Sequence, residues 1–265
     1  MDWNVIESRQ NPAVKFAASL CDKKARDRAG LFVAEGKTLV LDFLSAGMNP
    51  EALYLDQKAE GLMRELDAAL GDNPCKKYLL SSSAFEKITM EKGSEGILAL
   101  FSYRSVREHC PLNQANKLIA LEGVQDPGNV GTVIRTAAAF GFDGVCLTGC
   151  TDPFGPKAIR ASMGAVARIP LRIFSDVDSL FDFLEEKGVH TVAACLESDS
   201  RLIDQAHLVP PVCVLIGNEG KGLSRKAVER AKEKVIIPMQ GMESLNAAVA
   251  ASVFLWEISR QKGEQ

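Results

Sequence analysis

The apolar and polar positions of the first hundred residues alternate between two patterns. Short apolar runs are typical of strands, and longer runs with apolar residues three or four apart are typical of helices. Strands are predicted at residues 31–35, 52–55, 77–80 and 96–101, and helices at residues 11–21, 37–46, 60–70 and 83–89. This alternation predicts a small α/β sandwich over residues 1–104.

A polar stretch separates this domain from a second one. Residues 105–116 have no clear hydrophobic period and are predicted to form a linker. Beyond it, strands are predicted at residues 117–124, 145–148, 169–174, 190–195, 212–216 and 235–238, with helices between most of them. The pattern predicts a second α/β domain over residues 117–265, with a mostly parallel sheet covered on both faces. The last helix is predicted from Leu245 to about Gln261.

The composition adds limits to this picture. No run approaches the roughly 18 apolar residues of a membrane span, and the first residues do not resemble a signal peptide. We therefore expect a cytoplasmic protein without a membrane partner. The seven cysteines include no Cys-x-x-Cys pair, which argues against a disulfide framework or a zinc site, and no metal is expected. The net charge of −3 gives no global sign of nucleic-acid binding, so any such binding needs a local patch.

Three Gly- and Asn-rich segments follow strand-like runs in the second domain, where open α/β sheets bind their ligands. In the first, Asn129 is well placed to cap a helix. Arg135 lies two turns further on among small apolar residues and is predicted to be half-buried. A half-buried arginine needs a partner, so both a structural ion pair and a role in a site fit this position.

The second segment is a loop with three glycines around one carboxylate. The glycines allow close approach of the backbone to a ligand or unusual dihedral angles, and Ser224 is predicted to cap the next helix. The spacing matches neither the phosphate loop nor the dinucleotide motif, and a plain turn stays an alternative. The residues are Gly217, Glu219, Gly220 and Gly222.

The third segment precedes a helix that opens with unusually small residues. Ser244 is predicted to cap this helix, either as a cap alone or as part of a site. Asn246 is a poor helix former in the first turn, which favours a role in a site. Four alanines and a serine follow within the next six residues, and they permit very close packing of neighbouring chain.

Together, the three segments resemble the SpoU (TrmH-type) family of S-adenosylmethionine-dependent RNA ribose 2'-O-methyltransferases, within the SPOUT superfamily. Residues 157–165, which lie between the first and second segments, also resemble the family. The resemblance as a whole covers about residues 117–261. Residues 1–104 resemble the ribosomal-protein-like RNA-binding domain that many members carry. The residues that match the three motifs are Asn129, Gly131 and Arg135; Gly217, Glu219 and Gly222; and Pro238, Ser244, Leu245 and Asn246.

The resemblance implies a deep C-terminal trefoil knot that holds the cofactor, S-adenosylmethionine, and a homodimer formed by the knotted domain. It implies Arg135 as the catalytic residue. An arginine is always protonated in proteins, so we favour a role in holding the target phosphate and stabilising the oxyanion over the role of a general base. The other implied catalytic residues are Asn129, Glu219, Ser244 and Asn246. The implied cofactor-binding residues are Gly217, Ile237, Met239, Leu245, Thr148 and Leu196.

A cluster of basic residues in the first domain is the candidate RNA-binding patch. The alternative is a solvated loop whose charge is balanced by Asp22, Asp27 and Glu35. The candidate residues are Lys15, Lys23, Lys24, Arg26, Arg28 and Lys37.

The substrate predicted by analogy with two-domain members is 23S ribosomal RNA. Transfer RNA and a non-catalytic RNA-binding role are the alternatives. A small-molecule methyltransferase is disfavoured, because a small substrate does not need a large docking domain. A self-protective resistance methylase is a further alternative.

Overall fold

The structure, a computed structural model, describes residues 3–90, 93–109, 112, 115–241 and 244–261. The chain divides into two compact units, Met1–His109 with Phe154–Ala167, and Cys110–Pro153 with Arg168–Gln265. The segment Phe154–Ala167 falls in the predicted second domain but packs within the first unit. The Phe154 ring lies 4.6 Å from that of Tyr103 and 5.3 Å from that of Phe32, between centroids. Packing and sequence pattern therefore divide the chain differently at this segment.

The secondary structure follows an alternating order throughout. The strands of the first unit are β1 (Asn4–Ile6), β2 (Leu31–Glu35), β3 (Ala52–Asp56), β4 (Lys76–Leu80) and β5 (Ile97–Ser102). Those of the second are β6 (Lys117–Glu122), β7 (Gly144–Thr148), β8 (Leu171–Phe174), β9 (His190–Ala194), β10 (Arg201–Leu202), β11 (Val212–Ile216) and β12 (Glu233–Ile236). The α-helices are α1 (Pro12–Ser19), α2 (Lys23–Ala29), α3 (Lys37–Ser45), α4 (Met63–Leu70), α5 (Ser82–Phe85), α6 (Tyr103–His109), α7 (Pro127–Ala139), α8 (Pro156–Ser162), α9 (Val177–Glu186), α10 (Arg225–Arg230) and α11 (Ala247–Arg260).

The first unit contains a mixed sheet in the order β1-β4-β3-β5-β2. The strands β1, β4 and β3 are parallel, and β5 runs antiparallel to both β3 and β2. The sequence pattern does not predict β1 or α2. The helix α2 escapes prediction because its charged sequence has no apolar period. Asp22 caps its start with a side-chain oxygen 2.6 Å from the Lys24 nitrogen, and Gly30 ends it at a φ of 67°.

The predicted linker is partly helical, since α6 extends to His109. Residues 110, 111, 113 and 114 of the predicted linker lie outside the described residues. Across the described ranges, no helix has the length and apolar character needed to cross a membrane.

The second unit contains a parallel sheet in the order β10-β12-β9-β11-β6-β7-β8. The predicted mixed α/β fold with a C-terminal parallel sheet is confirmed. Alternate residues of β6 and β11, such as Leu118 and Leu215, pack in one core with α9 and α10. The helix α11 packs against α7, β6 and β11, and α7 also packs against β7. The trefoil knot implied by the resemblance stays a prediction.

Candidate functional site

Two helices begin at the carboxyl edge of the second sheet, and their first residues differ from the prediction. Asp126 caps α7, with Oδ1 3.0 Å from the Asn129 nitrogen, and Asn246 caps α11, with Oδ1 2.9 Å from the Ala248 nitrogen. The predicted caps, Asn129 and Ser244, are wrong because each helix starts at a different residue: α7 begins two residues before Asn129, and α11 begins three residues after Ser244. The side chain of Asn129 is therefore available for other bonds.

Three side chains, one from each motif, form a hydrogen-bonded chain that we call the amide relay (Asn246, Asn129 and Glu219). Asn246 Nδ2 donates to Asn129 Oδ1 at 3.1 Å, and Asn129 Nδ2 donates to Glu219 Oε1 at 2.7 Å. Asn246 Oδ1 already accepts from the backbone at the start of α11, so its amide nitrogen must face Asn129. The orientation of both amides follows from this one cap, and the relay ends on a carboxylate.

The loop after β11 is held by Asn218, which the sequence analysis did not single out. Its Oδ1 accepts from the Gly220 and Lys221 nitrogens at 2.9 and 3.0 Å, and its Nδ2 donates to the Gly123 oxygen at 2.8 Å. The loop after β11 is thereby tied to the loop after β6. Ser224 caps α10 as predicted, with Oγ 3.2 Å from the Ala227 nitrogen.

A cavity of about 460 Å³ lies beyond the carboxyl ends of β9, β11 and β12, beside the start of α11. Five of the six predicted cofactor-binding residues line it, together with Glu219 and Ser244: these five are Gly217, Ile237, Met239, Leu245 and Leu196. The sixth, Thr148, is buried at the end of β7 and does not line the cavity. A cofactor contact for Thr148 stays a prediction.

Further lining residues were missed by the sequence analysis. Ala247 and Ala250 form a wall where the small residues of α11 face the cavity, and Glu197 and Cys195 follow β9. The alanine-rich opening of α11 is the sequence signal for this wall, although by itself it indicates only close packing. Burial raises the pKa of the Cys195 thiol, so at neutral pH this cysteine is protonated and serves as part of the wall.

Arg135 is exposed, and the prediction that it is half-buried is wrong. It donates to none of the residues that the structure describes. The reason lies in helical geometry: Val133, Ile134 and Ala137 form the buried face of α7, and Arg135 lies on the opposite face. Six residues of α-helix turn by about 240°, so Arg135 also lies on a different flank from Asn129. The guanidinium is thus presented to solvent.

The predicted RNA-binding patch in the first unit is only partly intact. Arg26 is 4% exposed, and its Nη1 donates to the Leu20 and Cys21 carbonyl oxygens at 2.9 and 2.8 Å. The prediction that Arg26 binds RNA is therefore wrong, because its guanidinium is buried and donates hydrogen bonds to backbone carbonyl oxygens at the end of α1. Among the other five, Lys23 pairs with Asp27 at 2.6 Å and Lys37 with Glu65 at 2.9 Å. The exposed cations, for which RNA binding stays a prediction, are Lys15, Lys23, Lys24 and Arg28.

Comparison with known families identifies both parts of the chain. A model of the SpoU rRNA Methylase family matches residues 116–256, more than half of the chain. This chain belongs to the SpoU rRNA methylase family. A second model, the MRM3-like substrate binding domain, matches residues 11–99 of this SpoU methylase. The predicted family is confirmed.

Individual relatives resemble this SpoU methylase over nearly its whole length. The 23S rRNA (guanosine(2553)-2'-O)-methyltransferase RlmP of Bacillus subtilis is 33% identical, and the match covers 96% of this chain and 98% of RlmP. An rRNA methyltransferase from Sinorhizobium meliloti has a TM-score of 0.86 at 30% identity, with 98% of each chain covered. An AdoMet-bound structure, also of an rRNA methyltransferase from Sinorhizobium meliloti, has a TM-score of 0.84 at 32% identity and covers 97% of this chain and 98% of its own.

These similarities confirm the enzyme class and the cofactor predicted from the sequence. The SpoU methylase described here is an RNA methyltransferase that uses S-adenosylmethionine. RNA is its partner, since the first unit contains the matched substrate-binding domain.

Proposed function

We propose that this SpoU methylase methylates a ribose 2'-hydroxyl of 23S ribosomal RNA. The observation that carries the proposal is that Glu219 both lines the cavity and ends the amide relay. Glu219 thus belongs both to the cavity proposed for the cofactor and to the amide relay proposed to contact the RNA. The match to RlmP supports a ribosomal RNA substrate. Such a substrate would place the protein in the cytoplasm.

The cavity fits the proposed cofactor. Its volume of about 460 Å³ is within the range of small-molecule sites, which are mostly apolar with a few placed polar groups. Ile237, Met239 and Leu245 form an apolar wall of the cavity, and Gly217 allows the backbone to approach a bound cofactor closely. When bound, S-adenosylmethionine supplies a methyl group that is activated by its sulfonium charge. We assign the cofactor to this cavity.

The protein's own groups then have distinct tasks. Two hydrogen bonds link the three side chains of the amide relay, and these bonds would hold Glu219 and Asn129 in position for the target ribose. Fixed positioning lowers the entropic cost of a displacement in which attacking and leaving atoms must be in line. Arg135 supplies a permanent positive charge that would hold the target phosphate and stabilise charge developing on the 2'-oxygen.

Methyl transfer to separate RNAs tests this function. Purified protein would be incubated with labelled S-adenosylmethionine and protein-free 23S ribosomal RNA, ribosomal particles or transfer RNA. We expect label in 23S RNA or its particle, at a single 2'-O-methylribose found by mapping. Label only in transfer RNA would contradict the proposed substrate, and label on a base would contradict the proposed reaction.

We also propose that the protein is a homodimer. Val249, Val253 and Trp256 lie on one face of α11, and Val249 and Trp256 are 49% and 57% exposed. The Trp256 ring packs on Phe140 at the end of α7, with 5.8 Å between centroids. This apolar stripe joins two helices, and contiguous exposed apolar surface is typical of an interaction site. A second copy of the chain is the occupant that the family resemblance implies.

Replacing Trp256 by glutamate is expected to convert the dimer to a monomer. A charge at the centre of an apolar interface loses buried area and adds a desolvation cost of several kcal/mol. The measurement is molar mass by sedimentation equilibrium. The matched control is Ile173→Glu, since Ile173 is 55% exposed in the same unit on β8. A wild-type protein with the mass of one chain, or a dimer that survives Trp256→Glu, would contradict the proposal.

A further inference from the structure

Glu197 is a charged residue of the cavity that no motif includes. It lies three residues beyond the end of β9, and its loop is braced by Ser200. The Glu197 nitrogen donates to Ser200 Oγ at 3.1 Å, and the same hydroxyl donates to the Cys195 oxygen at 3.0 Å. The backbone that presents the carboxylate is therefore held in a defined turn at the cavity wall.

The Glu197 carboxylate has capacity to accept hydrogen bonds. Its side chain is 36% exposed, and its ion pair with Arg225 spans 3.6 Å, which is longer than a hydrogen bond. Arg225 makes its closer contact with Glu229, at 2.7 Å. No other described residue contacts the Glu197 carboxylate in an ion pair or hydrogen bond. Arg225 thus lies near Glu197 without a hydrogen bond to the carboxylate oxygens.

The order of the strands indicates which part of the cofactor Glu197 would meet. Two members of the amide relay, Asn129 and Glu219, follow β6 and β11, and Asn246 starts α11 after β12. The strand β9 lies on the side of β11 away from β6. Neighbouring strands are about 4.8 Å apart, so Glu197 is displaced by about two strands from Asn129. The reacting methyl group must lie near the relay, where the RNA ribose is positioned. The nucleoside part would then extend towards β9 and β12.

The chemistry of a nucleoside matches this position. A carboxylate at the end of a parallel strand accepts hydrogen bonds from ribose hydroxyls in dinucleotide-binding folds, and a cofactor ribose offers two adjacent hydroxyl donors. We propose that Glu197 binds the ribose hydroxyls of the cofactor and makes the cavity specific for a ribonucleoside. This inference rests on the proposed placement of the cofactor in the cavity.

Calorimetric binding of S-adenosylhomocysteine and of its 2',3'-dideoxyribose analogue tests the inference. For Glu197→Gln we expect the Kd of S-adenosylhomocysteine to rise about 10- to 100-fold, as for the loss of a charge-assisted hydrogen bond. The Kd of S-adenosylmethionine is expected to rise by the same factor, and the variant is expected to bind the dideoxy analogue as the wild type does. The matched control is Glu229→Gln, which removes a carboxylate from the same arginine outside this cavity and is expected to leave binding unchanged.

Each other outcome overturns a specific claim. Unchanged binding of S-adenosylhomocysteine by Glu197→Gln overturns the role of Glu197. A loss confined to S-adenosylmethionine shows that the carboxylate faces the sulfonium and overturns the ribose assignment. The placement of the cofactor is checked separately with Ala250→Leu, which fills the cavity wall. Unchanged binding by this variant, with an unchanged melting temperature, places the cofactor elsewhere and overturns the proposed site itself.

Discussion

Alanine at Gly217 is expected to weaken S-adenosylmethionine binding by about 100-fold or more. A Cβ atom there would lie 2.5 Å from the Gly222 oxygen, and closer still to the Gly222 carbonyl carbon and the Leu223 nitrogen. All three are backbone atoms, so no side chain can move aside. Overpacking of this kind costs about 1–3 kcal/mol even where side chains can adjust. The loop must therefore open, and this loop forms one wall of the cavity.

Calorimetric titration with S-adenosylmethionine measures this effect. The same substitution at Gly220 is the comparison, because a Cβ there meets only the Asn218 side-chain oxygen, at 3.7 Å. We expect Gly220→Ala to cause a much smaller loss. The melting temperature of each variant reports whether the fold survives. Cofactor affinity of Gly217→Ala within a few-fold of the wild type would show that the loop does not form the binding wall.

Alanine at Arg135 is expected to lower the single-turnover rate of methyl transfer by about 10²–10³-fold, the usual cost of removing one oxyanion-stabilising donor. Cofactor affinity and melting temperature are expected to stay unchanged, because Arg135 is exposed and donates to none of the described residues. A structural arginine such as Arg26, which bonds two carbonyls, would show the opposite result. The separation of rate from stability therefore identifies a role in catalysis.

Single-turnover methyl transfer to RNA, with saturating cofactor, measures the Arg135 effect. The charge-matched control is Lys187→Ala, which removes an exposed cation of the same unit at the end of α9. Arg135→Lys is expected to retain part of the rate, because lysine keeps the charge but loses the planar donor geometry. Wild-type turnover by folded Arg135→Ala would remove this residue from the mechanism.

Sequence motifs identify some residues of the candidate site but not the contacts between them. The motifs included all three members of the amide relay, but they could not say that Asn129 bonds Glu219, which lies 90 residues away along the chain. The motifs also missed Glu197 and Asn218, because a carboxylate and an amide in loops carry no periodic signal. The wrong caps at Asn129 and Ser244 have a common cause: Ser, Thr, Asn and Asp all suit a helix start, and each segment offers more than one of them within a few residues.

The sequence by itself determined the alternation of strands and helices, the parallel second sheet and the family, because these depend on local apolar period and short motifs. Tertiary structure alone decided which charges are available. The sequence predicts a surface role in RNA binding for Arg26 and half-burial for Arg135, yet Arg26 is buried against the end of α1 and Arg135 faces solvent. Tertiary structure also decided that Phe154–Ala167 packs with the first unit. Burial and pairing depend on contacts between distant residues, and a local pattern does not contain them.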